Sequence, residues 1–276
     1  MSPALAIPAG TWRAQIRTLA GNELRRSLFS RRSLPLYLLV ARPLVLMALR
    51  AVFLPEAERL DPSKATAEFA EVFLFFLLRF IVFFANAVIF VRLFRGEILE
   101  RSLHYTLLAP VPREVLVLGK YLGGVLSAVL LLVPTICASY FLTYLPHGGP
   151  ALQLMVSSSG LGILARYILI VVLASCAYGG LFTLAGLFFK NPMVPAILFL
   201  GRELLTPFLP AFLNSLSFVH YLVSFAPVPV SLGAFALLAR PVPDWIARLA
   251  LLLSSVALVW IASRVARRLE ITYSAD

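Results

Sequence analysis

Six stretches of this chain are apolar over the length that crosses a bilayer, and no other feature narrows its possible folds as much. They lie at 33–54, 71–94, 115–141, 161–189, 193–212 and 245–266. An α-helix rises about 1.5 Å per residue, so about 20 residues cover the ~30 Å hydrocarbon core. Only helices and closed barrels satisfy every backbone polar group inside lipid. Barrel strands alternate in polarity, and these runs do not. The expected fold is an all-α integral membrane protein with six transmembrane helices in a single domain, 1–276. The composition agrees, since 61% of the 276 residues are hydrophobic and 13% charged. A soluble domain carries about 25% charged residues.

The basic residues orient these spans. With the N-terminus inside, 15 Lys and Arg fall on cytoplasmic flanks, and only Arg59, Lys64 and Arg240 fall outside. That bias places both termini in the cytoplasm. The net charge of +11 is spread over membrane flanks, which argues against nucleic acid as a partner and for the lipid bilayer. Residues 1–32 hold six arginines and no continuous apolar core, so they are not a signal peptide. Trp12, Ile16, Leu19 and Ala20 share a helical face with Arg13 and Arg17 beside it. This predicts an amphipathic helix in the cytoplasmic interface.

Inside the spans, small residues stand at helical spacing. Gly119-x-x-x-Gly123, and the row Ser175, Gly179, Gly180 and Gly186, predict close packing between consecutive spans, with a dimer face as the alternative. Cys137 and Cys176 lie within spans and read as small apolar packers. Pro43, Pro134, Pro195 and Pro207 are expected to kink spans 1, 3 and 5. Charges at membrane depth are expensive and are the better functional clue. Arg79 lies about 12 Å from the outer face, and Arg202 and Glu203 lie about 15–16 Å from the inner one. Arg79 and Glu203 are therefore expected to meet, directly or through water, within one chain or across a dimer. They are read either as a packing pair or, with Arg42 and Arg202, as the lining of a translocation path. Arg50 and Arg166 sit near outer span ends and should snorkel. Segment 214–244 is broken by Pro227, Pro229, Pro241 and Pro243, so an outer interfacial or re-entrant element is expected.

The connection at 96–121, GEILERSLHYTLLAPVPREVLVLGKY, is polar and lies between two apolar runs. Glu97, Glu100 and Arg101 stand at helical spacing, Pro110 and Pro112 end that short helix, and Glu114 suits the start of the next. A charged helix kept between spans points to a soluble contact. No chemistry accompanies it. The chain has no G-x-x-x-x-G-K-[ST] phosphate loop, and His104, His147 and His220 are scattered without metal-ligand spacing, so it is not expected to be an enzyme.

Several of these segments resemble ABC type-2 permeases, the membrane subunits of ATP-driven exporters. LLAPVPREVLVLGKYL at 107–122 is similar to the family's cytoplasmic segment between spans 2 and 3. The matching positions are Glu97, Glu100, Leu107, Leu108, Pro110, Arg113, Gly119 and Lys120. NELRRSLFSRRS at 22–33 resembles the helix leading into span 1, FFKNP at 188–192 the turn between spans 4 and 5, and RVARRLE at 264–270 the basic end. The resemblance implies a coupling helix at 97–108, with Glu97, Glu100, Arg101, Leu107, Leu108, Pro110 and Arg113 contacting a separate ATP-binding subunit. ATP and Mg would be bound by that partner and no cofactor by this chain. A second permease copy, identical or related, would complete the path along spans 1, 2 and 5 in a bacterial plasma membrane. An ion-coupled secondary transporter and an integral membrane enzyme or assembly factor are the rival readings.

Overall fold

A computed structural model describes residues 9–30, 33–53, 61–99, 111–206, 211–228, 230 and 242–268, and among these the chain is helical with no strand. The long helices are α1 (Ala9–Phe29), α2 (Leu34–Phe53), α5 (Arg113–Tyr144), α7 (Ser158–Phe188) and α11 (Asp244–Arg267). Between α2 and α5, α3 (Pro62–Val72) passes through a π-helical stretch (Phe73–Val82) into α4 (Phe83–Leu99). A 3-10 turn (Leu145–His147) and α6 (Gly148–Val156) join α5 to α7. Shorter helices follow, α8 (Met193–Leu205), α9 (Ala211–Asn214) and α10 (Phe218–Val223).

Local chemistry sets several helix starts. The Ser157 hydroxyl accepts from the Gly160 amide at 3.2 Å and caps α7. Ser217 caps α10 in the same way through the His220 amide. Proline precedes α5 and α11, and Glu114 and Asp244 follow in their first turns.

Among the described residues, five helical stretches are long and apolar enough to cross a membrane: Leu34–Phe53, Lys64–Ile98, Arg113–Val156, Ser158–Phe188 and Asp244–Arg267. The second begins earlier than expected, because helix starts at Pro62 inside what reads as an outer loop. The expected fifth span at 193–212 is represented by α8, whose 13 residues rise about 20 Å, less than the ~30 Å hydrocarbon core. Pro207 lies outside the described residues. Pro43 and Pro134 lie inside α2 and α5. Pro195 falls in the first turn of α8, where proline removes no intrahelical bond, so no kink is required there.

The bundle is built around α7, which packs on α4, α5 and α11. Its buried face is aromatic. Phe83 meets Tyr178 at 5.3 Å and Phe182 at 5.1 Å between centroids, and Tyr178 meets Phe218 at 5.5 Å. The small residues serve neighbours that spacing alone does not show. A Cβ on Gly179 would stand 2.5 Å from the Phe90 ring, and one on Gly124 would stand 2.7 Å from it, so these glycines hold an aromatic ring between α5 and α7. Gly180 faces Leu258 of α11, and Gly186 faces the α4 backbone. Gly119 and Gly123 meet α1 in place of a neighbouring span. They receive Leu19, Ala20 and Glu23 of α1. Cys137 and Cys176 are half-buried free thiols.

Outward faces of α2 and α11 are apolar. Leu38, Val52 and Phe53, and Leu253, Val256 and Trp260, are all more than half exposed. A monomer in water does not display apolar surface on this scale, whereas lipid covers it at no cost.

Candidate functional site

Four charged side chains meet at one end of the bundle, where α1, α4 and α5 converge. Lys120 lies on α5 two turns beyond Arg113 and is 1% exposed. Its ammonium donates to Glu23 Oε1, to Glu97 Oε1 at 2.6 Å and to the Leu93 carbonyl at 3.1 Å. An ammonium has three donors, so all are satisfied. Arg26 adds a second cation on Glu97 at 2.9 Å. Two carboxylates and two cations balance, which is what burial of charge demands.

The sequence places these residues on the right faces. Glu23 follows Leu19 and Ala20 by four and three positions, so it continues the α1 face that meets Gly119 and Gly123. Beyond Gly21 this face carries a buried carboxylate bonded to Lys120. Glu23 was legible as part of the stripe only to a reader who counted a charge as a core residue. Trp12, at the other end of the same stripe, is exposed.

The close contact gives a testable consequence. A Cβ on Gly123 would stand 2.8 Å from both the Ala20 carbonyl oxygen and the Glu23 Cβ. Gly123→Val should therefore displace α1 and cost about 1–3 kcal/mol of stability. Thermal unfolding in detergent and faster trypsin cleavage at Arg25 would report it. Gly21→Ala is the control, since nothing lies within 4 Å of its added carbon. Equal behaviour of the two variants would refute the packing.

The residues expected to couple with a partner divide into three groups. Glu97 is buried in the charge cluster. Arg113 donates to the carbonyls of Ala266 at 3.1 Å and Arg267 at 2.7 Å, capping α11, while Glu114 pairs with Arg267. Glu100, Arg101, Leu107, Leu108 and Pro110 lie outside the described residues. Both ends of this connection are thus anchored, one in the α1–α4–α5 junction and one on the end of α11.

The charges at membrane depth have partners that the sequence did not show. Among the described residues, Arg79 and Glu203 form no direct ion pair. Glu203 is 1% exposed, and its carboxylate accepts from the Ser217 hydroxyl at 2.6 Å and from the amides of Phe218 and Val219 at 3.0 Å each. It therefore holds the start of α10, where amides without helical partners seek an anion. Arg202 stands 3.9 Å from Glu203 and donates to the carbonyls of Leu213 and Leu216. Together the two fasten the chain where it folds back at 213–219. A depth count along α8 does not show that the chain folds back after it and brings the start of α10 onto Glu203. Arg79 lies in the π-helical stretch, its guanidinium 5.5 Å from the Phe75 ring and its Nε buried without a hydrogen bond. Arg42 is exposed on α2.

At the opposite end, Arg50 pairs with Glu68 at 2.7 Å, with His147 3.8 Å from the same carboxylate. Arg50 thus has a protein partner in addition to any snorkelling. Buried hydroxyls within the long helices turn onto their own helices: Ser127, Ser175 and Ser255 each bond the carbonyl four residues back.

Together these features define an all-helical, membrane-embedded protein with a buried ionic junction at one end. In comparison with known proteins, the chain matches no protein-family model and no curated protein.

Proposed function

We propose that the chain is the membrane subunit of an ATP-driven ABC exporter of the type-2 class. In this reading it crosses a bacterial plasma membrane six times, with 193–212 as the fifth span and both termini cytoplasmic. α1 lies in the cytoplasmic interface. Two permease subunits, identical or related, enclose the path, and separate ATP-binding subunits supply nucleotide chemistry. The chain itself carries no phosphate loop.

The observation that supports this most is the anchoring of the 100–112 connection. One end emerges from α4 just after Glu97, which is tied to Lys120, Glu23 and Arg26. The other enters α5 at Arg113, which is tied to α11. A push on this connection would reach α1, α4, α5 and α11 together. Rigid-body motion of packed elements is how a local event becomes a change of access. Glu97 then acts as part of the stiff base, and the docking contacts fall to Glu100, Arg101, Leu107, Leu108 and Pro110.

The test is purification of the tagged chain from cells that express its natural neighbours. An ATP-binding subunit should co-purify, and the chain alone should hydrolyse no ATP. Leu108→Arg should weaken that association about 30-fold, the loss expected of an interface hot spot, without changing thermal unfolding. Glu100→Arg should act in the same direction. Absence of any nucleotide-binding partner, together with transport driven by an ion gradient alone, would replace this reading with a secondary transporter.

A further inference from the structure

The π-helical stretch Phe73–Val82 buries its residues in pairs. The pairs at 73–74, 77–78 and 81–82 are buried, whereas Phe75, Phe76, Arg79 and Phe80 are not. One side of the stretch thus packs on α2, α7 and α8, and the more open side carries three phenyl rings and one guanidinium. π-Helical turns inside α-helices are frequent at functional sites. We propose that Arg79 holds the anionic head of the exported molecule, an amphiphile with one negative group on an apolar body. The inference rests on the export reading and names its substrate class.

Arg79 lacks a bonded counter-charge. Among the described residues it makes no hydrogen bond and no ion pair. A snorkelling arginine carries its whole guanidinium to water, but here Nε is buried. A cation left so at membrane depth is expensive and marks a functional site. Glu203 acts on it through its field without touching it. The Glu203 oxygens are taken by Ser217, Phe218 and Val219, and Arg202 stands on the same carboxylate. Two cations and one anion leave one positive charge. A second copy of the chain does not supply the missing anion. Between Glu71 and Glu97, and between Glu114 and Asp244, the sequence holds one acid, Glu203. A two-fold contact on this side would repeat the same surface and the same shortage.

The neighbours of Arg79 define the rest of the ligand. A guanidinium pairs with a carboxylate, sulfate or phosphate through forked donors. The Phe75 ring lies 5.5 Å from that guanidinium and is 41% exposed, and Phe76 and Phe80 pack on each other at 6.4 Å between centroids. A small hydrated anion gains nothing from these rings. An amphiphile gains both the charge contact and the burial of its apolar body.

The experiment uses the full chain in phosphatidylcholine nanodiscs and a palmitic acid that carries a diazirine, irradiated at alkaline pH, with crosslinks located by mass spectrometry. Crosslinks should fall within 75–80. The methyl ester of the same probe should label there about tenfold less, the loss expected for one hydrogen bond between charged groups. Arg79→Gln should reduce labelling by the acid to a similar degree, and Arg79→Lys should keep most of it. The Gln variant should melt close to the parent, because no hydrogen bond of the bundle is lost. Arg166→Gln removes an exposed cation of α7 and should leave labelling unchanged. If Arg79→Gln does not fold, competition on the parent chain decides: unlabelled palmitate should suppress the crosslink, and methyl palmitate and inorganic phosphate should not. Equal labelling by the ester, or undiminished labelling of Arg79→Gln, would overturn the anion site. Suppression by inorganic phosphate would put a small anion in place of the amphiphile. Equal loss in Arg166→Gln would overturn the location. Crosslinking at 75–80 with no ATP-binding subunit co-purifying would sink the export reading and leave the anion site standing. A co-purifying subunit without the crosslink would sink this inference alone.

Discussion

Lys120→Met should unfold the junction of α1 with the bundle. It removes the cation that Glu23 and Glu97 share and leaves two buried carboxylates, of which Glu97 keeps its bond from Arg26. Breaking a buried ion pair from one side costs about 3–5 kcal/mol, because the remaining charge keeps its desolvation penalty. Most of the chain should then fail to appear as a monodisperse peak, and what remains should melt well below the parent. The triple variant Glu23→Gln, Glu97→Gln and Lys120→Met should recover most of the loss, since neutral groups of similar volume carry no such penalty. Size-exclusion yield and thermal unfolding in detergent read both arms. A Lys120→Met chain as stable as the parent, or a triple variant worse than the single one, would show that the junction does not hold α1. The same logic governs any variant of Glu97. Glu97→Arg sets a third cation beside Lys120 and Arg26, so its failure reports a broken junction. Glu100→Arg is the cleaner probe of partner docking.

Glu203→Leu should release the folded-back segment. Three donors, the Ser217 hydroxyl and the amides of Phe218 and Val219, lose their acceptor in a buried site. Each unsatisfied group costs about 1–3 kcal/mol, so the total is on the order of 3 kcal/mol or more. Glu203→Gln keeps one carbonyl acceptor and should lose much less. The double variant with Arg79→Leu should recover only a minor part of that loss, because Arg79 feels the Glu203 charge without bonding to it, while the three donors still lack their acceptor. Thermal unfolding of the four chains of that cycle decides the matter. Recovery of most of that loss in the double variant would mean that Arg79 and Glu203 chiefly compensate one another, and that the fold-back contacts of Glu203 are secondary.

The sequence alone determined the membrane-like solvent and the helical class. Apolar runs of bilayer length leave only helices as candidates, because lipid offers no partner to an open backbone. The Ser157 and Ser217 caps are local events within three residues, yet they were recognised only once the structure showed where α7 and α10 begin. The interior contacts were not readable. Glu23, Glu97 and Lys120 lie on three helices, and their meeting depends on how those helices are rotated about their axes and on how closely Gly119 and Gly123 let α1 approach. Glu203 and Arg79 stand at matching depths in a straight-helix count, yet the chain turns back after α8 and gives Glu203 the amides of α10 instead. Periodicity reports which side of a helix is apolar. Which neighbour that side meets is set by packing across the whole bundle, and only the tertiary structure decides it.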